Sequence, residues 1–368
     1  MLKLIYTLPT LPPPVELETV PVLKALVTAN RSLAELKGRA ATIPNQGILI
    51  DSLVLQEAKA SSEIENIVTT QDELFQADLF PDGPQSPAAK EVALYRAALK
   101  LGHDRMQAAQ GVITNNTLID MFRLLKARND GFRVTPGTML MHDRTGDIVY
   151  VPPQDANEIV ALMTAIERFI NEDEACPLDP LIKMALIHHQ FESIHPFPDG
   201  NGRIGRILNV LYLTRTRLLE IPILYLSRHI TCTKGEYYRL LQAVRDTNGA
   251  PEAWEAWVLY MLQAVAGTAE TTLGLVEGIR RQMIDIKHRM RDNLSKIYSQ
   301  DLLNNLFRHP YTRIEFLVAD LGITRQTAAK YLDTLAENGF VTKRQAGRNN
   351  YYINTSLVRL FLEVSGGK

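Results

Sequence analysis

Between residues 195 and 206 the chain reads His195-Pro196-Phe197-Pro198-Asp199-Gly200-Asn201-Gly202-Arg203-Ile204-Gly205-Arg206, an imidazole, a carboxylate, a glycine turn and two guanidiniums in one short stretch. Residues Ile204 to Leu219 are apolar at helical spacing, so Gly200-Asn201-Gly202 is expected to open a helix. A glycine turn at a helix start presents backbone N–H groups without helical partners and the positive end of the dipole, which suits phosphate. Arg203 and Arg206 are three apart and project from one face of the first turn, beside that anion site. Asp199 is a poor partner for phosphate, but it can hold a divalent cation that binds one. His195 adds a base whose ordinary pKa is about 6.5. Together these residues describe a polyphosphate site with a base attached.

Gly200, Gly202 and Gly205 also spell G-x-G-x-x-G, the dinucleotide-binding fingerprint, and Glu220 sits near its acidic position. That fingerprint requires a strand immediately before the glycines. Leu181 and Ala185, Ile187 and Phe191, and Phe191 and Ile194 fall four, four and three residues apart instead, so a helix precedes the glycines and Pro196 and Pro198 end it. The dinucleotide reading fails on its context. His188 and His189 beside His195 do not have the H-E-x-x-H spacing of a zinc site and read as packing residues.

At every defined position the stretch is similar to the H-P-F-x-D/E-G-N-G-R-x-x-R motif of Fic domain proteins, most of which look like protein adenylyltransferases (AMPylases). The resemblance implies a mainly α fold: a Fic-type helical core with a β-hairpin flap, an N-terminal helical region and a C-terminal winged helix. It implies ATP as substrate, with Mg²⁺ (or Mn²⁺) held at Asp199 and His195 as the catalytic base for a Ser, Thr or Tyr hydroxyl of a target protein. Gly200, Asn201, Gly202, Arg203, Ile204, Gly205 and Arg206 would line the nucleotide, with Asn201 on a phosphate oxygen. A tyrosine would lie against the base, Tyr237 before Tyr238. The stretch Ser61-Ser62-Glu63-Ile64-Glu65-Asn66 fits the [S/T]-x-x-x-E-[G/N] inhibitory motif of autoinhibited relatives. Ser61, Glu65 and Asn66 would then form an inhibitory element, with Glu65 pairing to Arg206 and lying at the nucleotide site. On residue chemistry alone, Ser61 and Glu65 are four apart and face the same way from one helix.

The elements that must position these groups follow from periodicity and breakers. Residues 1–20 are proline-rich and extended; a helix runs from Pro21 to about Arg39, and the inhibitory helix covers about 50–67. Between Gln71 and Asn115 we expect a short connection, a polar loop at Pro81-Asp82-Gly83-Pro84 and a helix from about Pro87 to Gly102, after which Thr114 caps a helix at Leu118 to about Ala127. Met139 to Val151 changes to strand character around the turn Asp143-Arg144-Thr145-Gly146, a hairpin whose family counterpart is the flap, at 138–152, that holds a target segment by strand addition. Helices follow at Glu158–Asn171, Pro180–Ile194 and Lys234–Val244, and Trp254 and Trp257 fall in the core. A charged connector helix covers Thr272 to about Lys296. Helices at Gln300–Phe307, Thr312–Asp320 and Thr324–Glu337, with a hairpin turn at Gly347-Arg348-Asn349-Asn350, read as a winged helix. Arg325, Gln326 and Lys330 on its third helix and Lys343, Arg344 and Arg348 on its wing suit either DNA or a protein partner.

The domains expected are therefore 1–110 (N-terminal helical region), 111–270 (Fic core), 271–297 (connector helix) and 298–368 (winged helix). A net charge of −1 over 368 residues excludes a general attraction to nucleic acid or anionic lipid. Two cysteines suit a reducing cytoplasm, and no stretch reaches the roughly 20 apolar residues of a membrane span. The partners expected are a hydroxyl-bearing target at the flap, a second copy of the chain in a homodimer, and DNA through 298–368, with no membrane. The same site leaves room for AMP removal, with Glu65 positioning water, or for a nucleotide-sensing DNA-binding regulator.

Overall fold

The computed structural model describes residues 6–79, 86–142, 145–174, 176–346 and 349–366. Helices α1 (Val20–Ala40), α2 (Gly47–Ile64), α3 (Gln71–Leu79), α4 (Pro87–Ala108) and α5 (Asn115–Lys126) precede a small antiparallel hairpin of β1 (Leu140–Met141) and β2 (Ile148–Tyr150). Then come α6 (Ala156–Asn171), α7 (Pro180–Ile194), α8 (Asn201–Arg215), α9 (Ser227–Cys232), α10 (Lys234–Asp246) and α11 (Pro251–Asn293). The C-terminal part runs α12 (Gln300–Arg308), β3 (Tyr311–Thr312), α13 (Ile314–Leu321), α14 (Arg325–Glu337), β4 (Thr342–Ala346), β5 (Asn349–Ile353) and α15 (Thr355–Gly366).

The chain divides into two compact units. The first comprises Met1–Ala34, Glu57–Ile67 and Leu94–Ala269. Its axis is α7, on which every residue from Leu181 to Ile194 is buried, the polar Lys183, His188, His189, Gln190, Glu192 and Ser193 included. α7 packs on α8 and α6, and α5 packs on α6 and α8. Local chemistry sets the helix starts. Thr114 accepts from the Thr117 N–H to open α5, Asp155 accepts from Asn157 and Glu158 to open α6, and Asp179 with Pro180 at the first position opens α7. Trp254 and Trp257 are fully buried beneath α7, and the Trp257 indole donates to the Ala185 carbonyl at 2.8 Å.

The second unit comprises Glu35–Gln56, Val68–Ala93 and Glu270–Lys368. Its sheet has the order β3-β5-β4, antiparallel throughout, with Arg344 opposite Tyr351. Thr324 caps α14 by accepting from Thr327, and Gly322 closes α13 with a positive φ. Phe75 of α3 stacks on Tyr311 at 4.8 Å, and the Tyr311 hydroxyl donates to Asp72 at 2.7 Å.

Several expected boundaries move. The helix expected over about 50–67 is α2 and ends at Ile64, so Glu65 and Asn66 lie in the turn beyond it rather than on the helix. α3, α9 and α15 are additional, and α4 runs to Ala108 instead of stopping at Gly102. The helix expected from Thr272 is the later part of α11, unbroken from Pro251, because no proline or helix-ending glycine turn interrupts it. The turns expected at Pro81–Pro84, at Asp143-Arg144 and at Gly347-Arg348 lie outside the described residues.

Candidate active site

The site is built where α7 ends and α8 begins. His195 is the C-cap of α7, in the left-handed region at φ 51° and ψ 58°, with its N–H on the Phe191 carbonyl at 2.9 Å. Helix C-termini leave carbonyls without helical partners, and here a buried arginine takes them. Arg133 Nε donates to the His195 carbonyl at 2.7 Å, its Nη2 to the Ile194 carbonyl at 3.1 Å and to that of Pro153, and its N–H to the Pro196 carbonyl at 2.8 Å. Phe197, fully buried, stacks on Phe122 at 4.4 Å and anchors the loop in the core. The imidazole is thus aimed by its backbone. Its Nδ1 makes no hydrogen bond with the described residues. Burial, then the charges of Arg245 and Arg133, push its pKa down to about 4, so the ring is neutral near pH 7 and able to accept a proton.

Gly200 is the N-cap of α8 at φ 76°, a conformation that favours glycine, and no side chain caps the first turn. α9, α10 and α13 also lack a side-chain cap, but at α8 the open helix N-terminus carries Arg203 and Arg206 in its first turns. Asn201, expected on a phosphate oxygen, is committed elsewhere. Its amide donates to the Phe197 carbonyl at 2.7 Å and accepts from the Phe197 N–H at 2.8 Å, and the residue is 1% exposed. Its side chain therefore pins the loop.

Asp199 keeps its side chain 59% exposed. Its Oδ2 meets Lys126 Nζ at 2.6 Å, and Oδ1 accepts from the Gly200 N–H at 2.6 Å and lies 3.8 Å from Arg203. Burial acts to raise its pKa, but Lys126 and the Gly200 N–H outweigh it and hold the carboxyl below its usual range. No group of three or more His, Cys, Asp or Glu side chains that could ligate a metal occurs among the described residues. An ionised, accessible carboxylate with one oxygen on a displaceable lysine fits a divalent cation whose other ligands are phosphates and water.

The guanidiniums differ in their surroundings. Arg206, 2% exposed, donates Nε to Ser61 Oγ at 2.8 Å, and Nη2 to the Ser61 carbonyl at 3.0 Å and to Glu65 Oε1 at 2.8 Å. Burial disfavours its charge, and the Glu65 carboxylate more than offsets this, so its pKa rises. Arg203 is equally buried. Glu65 reaches Arg206 because α2 ends in a Schellman turn. The Ile67 N–H bonds the Ser62 carbonyl at 2.9 Å, the Asn66 N–H bonds that of Glu63 at 3.0 Å, and Asn66 takes φ 61°. That conformation is why glycine or asparagine is wanted after the glutamate. Lys234 Nζ secures the turn on the Ile64 carbonyl at 2.6 Å and Asn66 Oδ1 at 3.2 Å. Gly202 makes the approach feasible, since a Cβ there would lie 2.5 Å from Glu65 Oε1.

Three family models match the chain: the Fic/DOC family N-terminal model over residues 23–104, the Fic/DOC family model over 113–213, and the C-terminal domain of SoFic-like protein adenylyltransferases over 283–357. The chain belongs to the Fic/DOC family. Among named relatives, the protein adenylyltransferase Fic of Drosophila melanogaster is 29% identical over 126 residues, 34% of this Fic chain and 22% of that protein. A probable protein adenylyltransferase of Aquifex aeolicus is 27% identical over 192 residues, 50% of this chain and 55% of that one. The Fic chain thus spans between about a fifth and a half of the length of these relatives. Among solved structures, a Fic family protein from Desulfovibrio desulfuricans aligns with TM-score 0.55 at 19% identity, over 92% of this chain and 98% of that one. Fic-1 from C. elegans gives 0.53 at 19% identity, over 70% and 74%.

The motif residues of the Fic chain thus converge on one loop and one helix start, and Ser61 and Glu65 reach Arg206 from the far end of α2. Tyr237 does not face the opening. It is 2% exposed, with its hydroxyl 2.9 Å from His188 Nε2 and its ring near Trp257 and Tyr260, while Tyr238 is 44% exposed. The apolar phase of α10, Tyr237 with Leu240, Leu241 and Val244, turns Tyr237 inward. Arg133, Lys126 and Lys234 carry no motif signal and emerge only from the fold.

Proposed function

We propose that this Fic protein is a protein adenylyltransferase held off by its own Glu65. The observation that carries the reading is the combination of an uncapped α8 N-terminus with a buried Arg206 whose carboxylate partner comes from outside the motif. ATP phosphates take the N–H groups of the first turn of α8 and the guanidiniums of Arg203 and Arg206. Tyr238, rather than Tyr237, is the tyrosine available to the base. Mg²⁺ or Mn²⁺, held by Asp199 once Lys126 gives way, supplies charge neutralisation on the phosphates when bound. The target segment, carrying a Ser, Thr or Tyr hydroxyl, lies along the β1–β2 hairpin by strand addition. Exposed Met139, Met141, Ile148 and Val151 offer it apolar contacts.

His195, neutral at physiological pH, accepts the hydroxyl proton. The oxygen bonds to the α-phosphorus as the bond to the bridging oxygen breaks, pyrophosphate leaves, and AMP remains on the target. Arg203 and Arg206 stabilise the charge of the leaving group. In the resting chain Glu65 occupies Arg206 and denies it to the γ-phosphate, so Ser61, Glu65 and Asn66 form the inhibitory element.

We assign catalysis to residues 111–270 and the inhibitory element to 1–110, with 271–297 as a connector. The helix–strand–helix–helix–strand–strand order from α12 to β5, followed by α15, supports a winged helix within 298–368. Two of its basic side chains are taken, Arg325 by Glu315 and Lys343 by Asp333 at 2.7 Å, which favours protein docking over DNA. No helix among the described residues is long and apolar enough to cross a membrane, and with free Cys176 and Cys232 we assign the chain to the cytoplasm. The test is transfer of AMP from labelled ATP by the Glu65→Gly protein to a cell lysate or to itself, compared with Glu65→Gly/His195→Ala. Full transfer by the double variant would overturn the mechanism.

A further inference from the structure

Besides Glu65, a buried carboxyl group on α7 lies within the electrostatic reach of Arg206. Glu192, one turn before His195 on α7, is only 8% exposed, and its Oε1 has no hydrogen-bond partner among the described residues. It is directed at α8. A Cβ on Gly205 would lie 2.9 Å from Glu192 Oε1, as a Cβ on Gly202 would lie 2.5 Å from Glu65 Oε1. Gly202 and Gly205 are three apart and share a helix face. The two glycines thus admit one carboxyl each, and the Arg206 guanidinium acts electrostatically on both. Glu65 is paired with Arg206, whereas Glu192 is buried with that oxygen unsatisfied, an arrangement a carboxyl tolerates best when it carries a proton.

The groups that act on Glu192 are Glu65 from the turn after α2, Arg206 from α8, and Tyr237 and Arg245 from α10; on α7 itself, His188 shares its contact with Gly205 and His195 lies by its backbone. Burial and the Glu65 charge work against ionisation of Glu192 and its pKa is raised to about 7, while His188 and His195 are pushed down to about 3 and 4. Near neutral pH Glu192 is therefore the titrating member of this cluster. Any anion on Arg206 repels a charged Glu192. Glu65 supplies that anion in the closed state, and a phosphate would supply it in the open one.

We propose that Glu192 is a positioning residue that couples anion binding at Arg206 to proton uptake: phosphate enters together with a proton on the Glu192 carboxyl, and the ionised carboxylate opposes it. This rests on the reading of Arg206 as a nucleotide phosphate site. The proton comes from solvent and no other bond is made or broken.

The experiment titrates ATP, with Mg²⁺ present, into full-length Glu65→Gly and Glu65→Gly/Glu192→Gln proteins from about pH 6.5 to 8.5, in buffers of different ionisation enthalpy. One coupled proton weakens affinity roughly tenfold per pH unit above the pKa of the free group. For Glu65→Gly we expect that fall, with close to one proton taken up per ATP on the alkaline side. For the Gln variant, which mimics the neutral carboxyl in shape, we expect a flat affinity and no Glu192-linked uptake. A loss of the protonated-carboxyl infrared band in the Glu192→Gln variant of the otherwise unaltered chain checks the resting state independently of nucleotide. Equal proton uptake by both variants, or no such band, overturns the proposal and leaves the nucleotide site standing. Failure of both proteins to bind ATP overturns the proposal and the nucleotide reading together.

Discussion

Arg133→Met is the substitution that most sharply separates aiming the base from binding the nucleotide. It keeps a long apolar stem and deletes donors to the His195, Ile194 and Pro153 carbonyls. Hydrogen bonds to a charged group are worth about 1.5–3 kcal/mol each, and three do not add fully where water can replace one. The carbonyls left behind are neutral, so we expect a loss of about 3–5 kcal/mol in stability, less than three such bonds in full. The second effect is positional. His195 sits in a left-handed C-cap conformation that costs about 1–2 kcal/mol for an ordinary residue, and Arg133 is what holds it there. A base displaced by about 1 Å costs on the order of a hundredfold in rate. The third effect is on titration, since removing a positive charge that helps depress His195 moves its pKa upward from about 4. The assay is AMP transfer in the Glu65→Gly background across pH, beside ATP affinity at fixed pH. The rate should fall on the order of a hundredfold, with ATP affinity changed less than about threefold and the acid limb shifted upward. An unchanged rate, or an affinity loss as large as the rate loss, would refute the aiming role.

The remaining predictions concern the turn and the base. Glu65→Gly frees Arg206; because the Glu65 side chain is 33% exposed we discount the buried-pair figure to about 2–3 kcal/mol, so ATP should bind roughly 30- to 150-fold more tightly by calorimetry. Asn66→Gly should leave inhibition intact, whereas Asn66→Val places a β-branched residue at φ 61°, costs about 1–2 kcal/mol and should raise ATP affinity by loosening Glu65. The neutral form of His195 is the base, so the transfer rate should be unaffected by His195 protonation above about pH 5 and decline as pH falls through about 4, which a pH–rate profile of the Glu65→Gly protein reads directly.

Legibility in the sequence followed the distance over which each signal acts. The helix–loop–helix around His195 is readable because glycines, prolines and two apolar runs set it within a few dozen residues. The end of α2 is less so: the four-residue spacing suggests one helix carrying Ser61 and Glu65, but a Schellman turn closes it at Ile64, and the two reach Arg206 from either side of that ending. The apolar phase of α10 turns Tyr237 inward and leaves Tyr238 outside, a signal that runs against the positional expectation for Tyr237. Arg133, Lys126, Lys234 and Glu192 act on groups that lie in other elements, so no local spacing marks them. The 9 residues of α3 are too few to show a period against the polar stretch that follows.

The most direct test is incubation of the unaltered chain and the Glu65→Gly protein with ATP labelled on the α-phosphate, counting label on protein. A complete site held shut by Glu65 predicts weak labelling of the unaltered chain and labelling of the Glu65→Gly protein stronger by about the same 30- to 150-fold. Equal labelling of the two, or none on either, would contradict it.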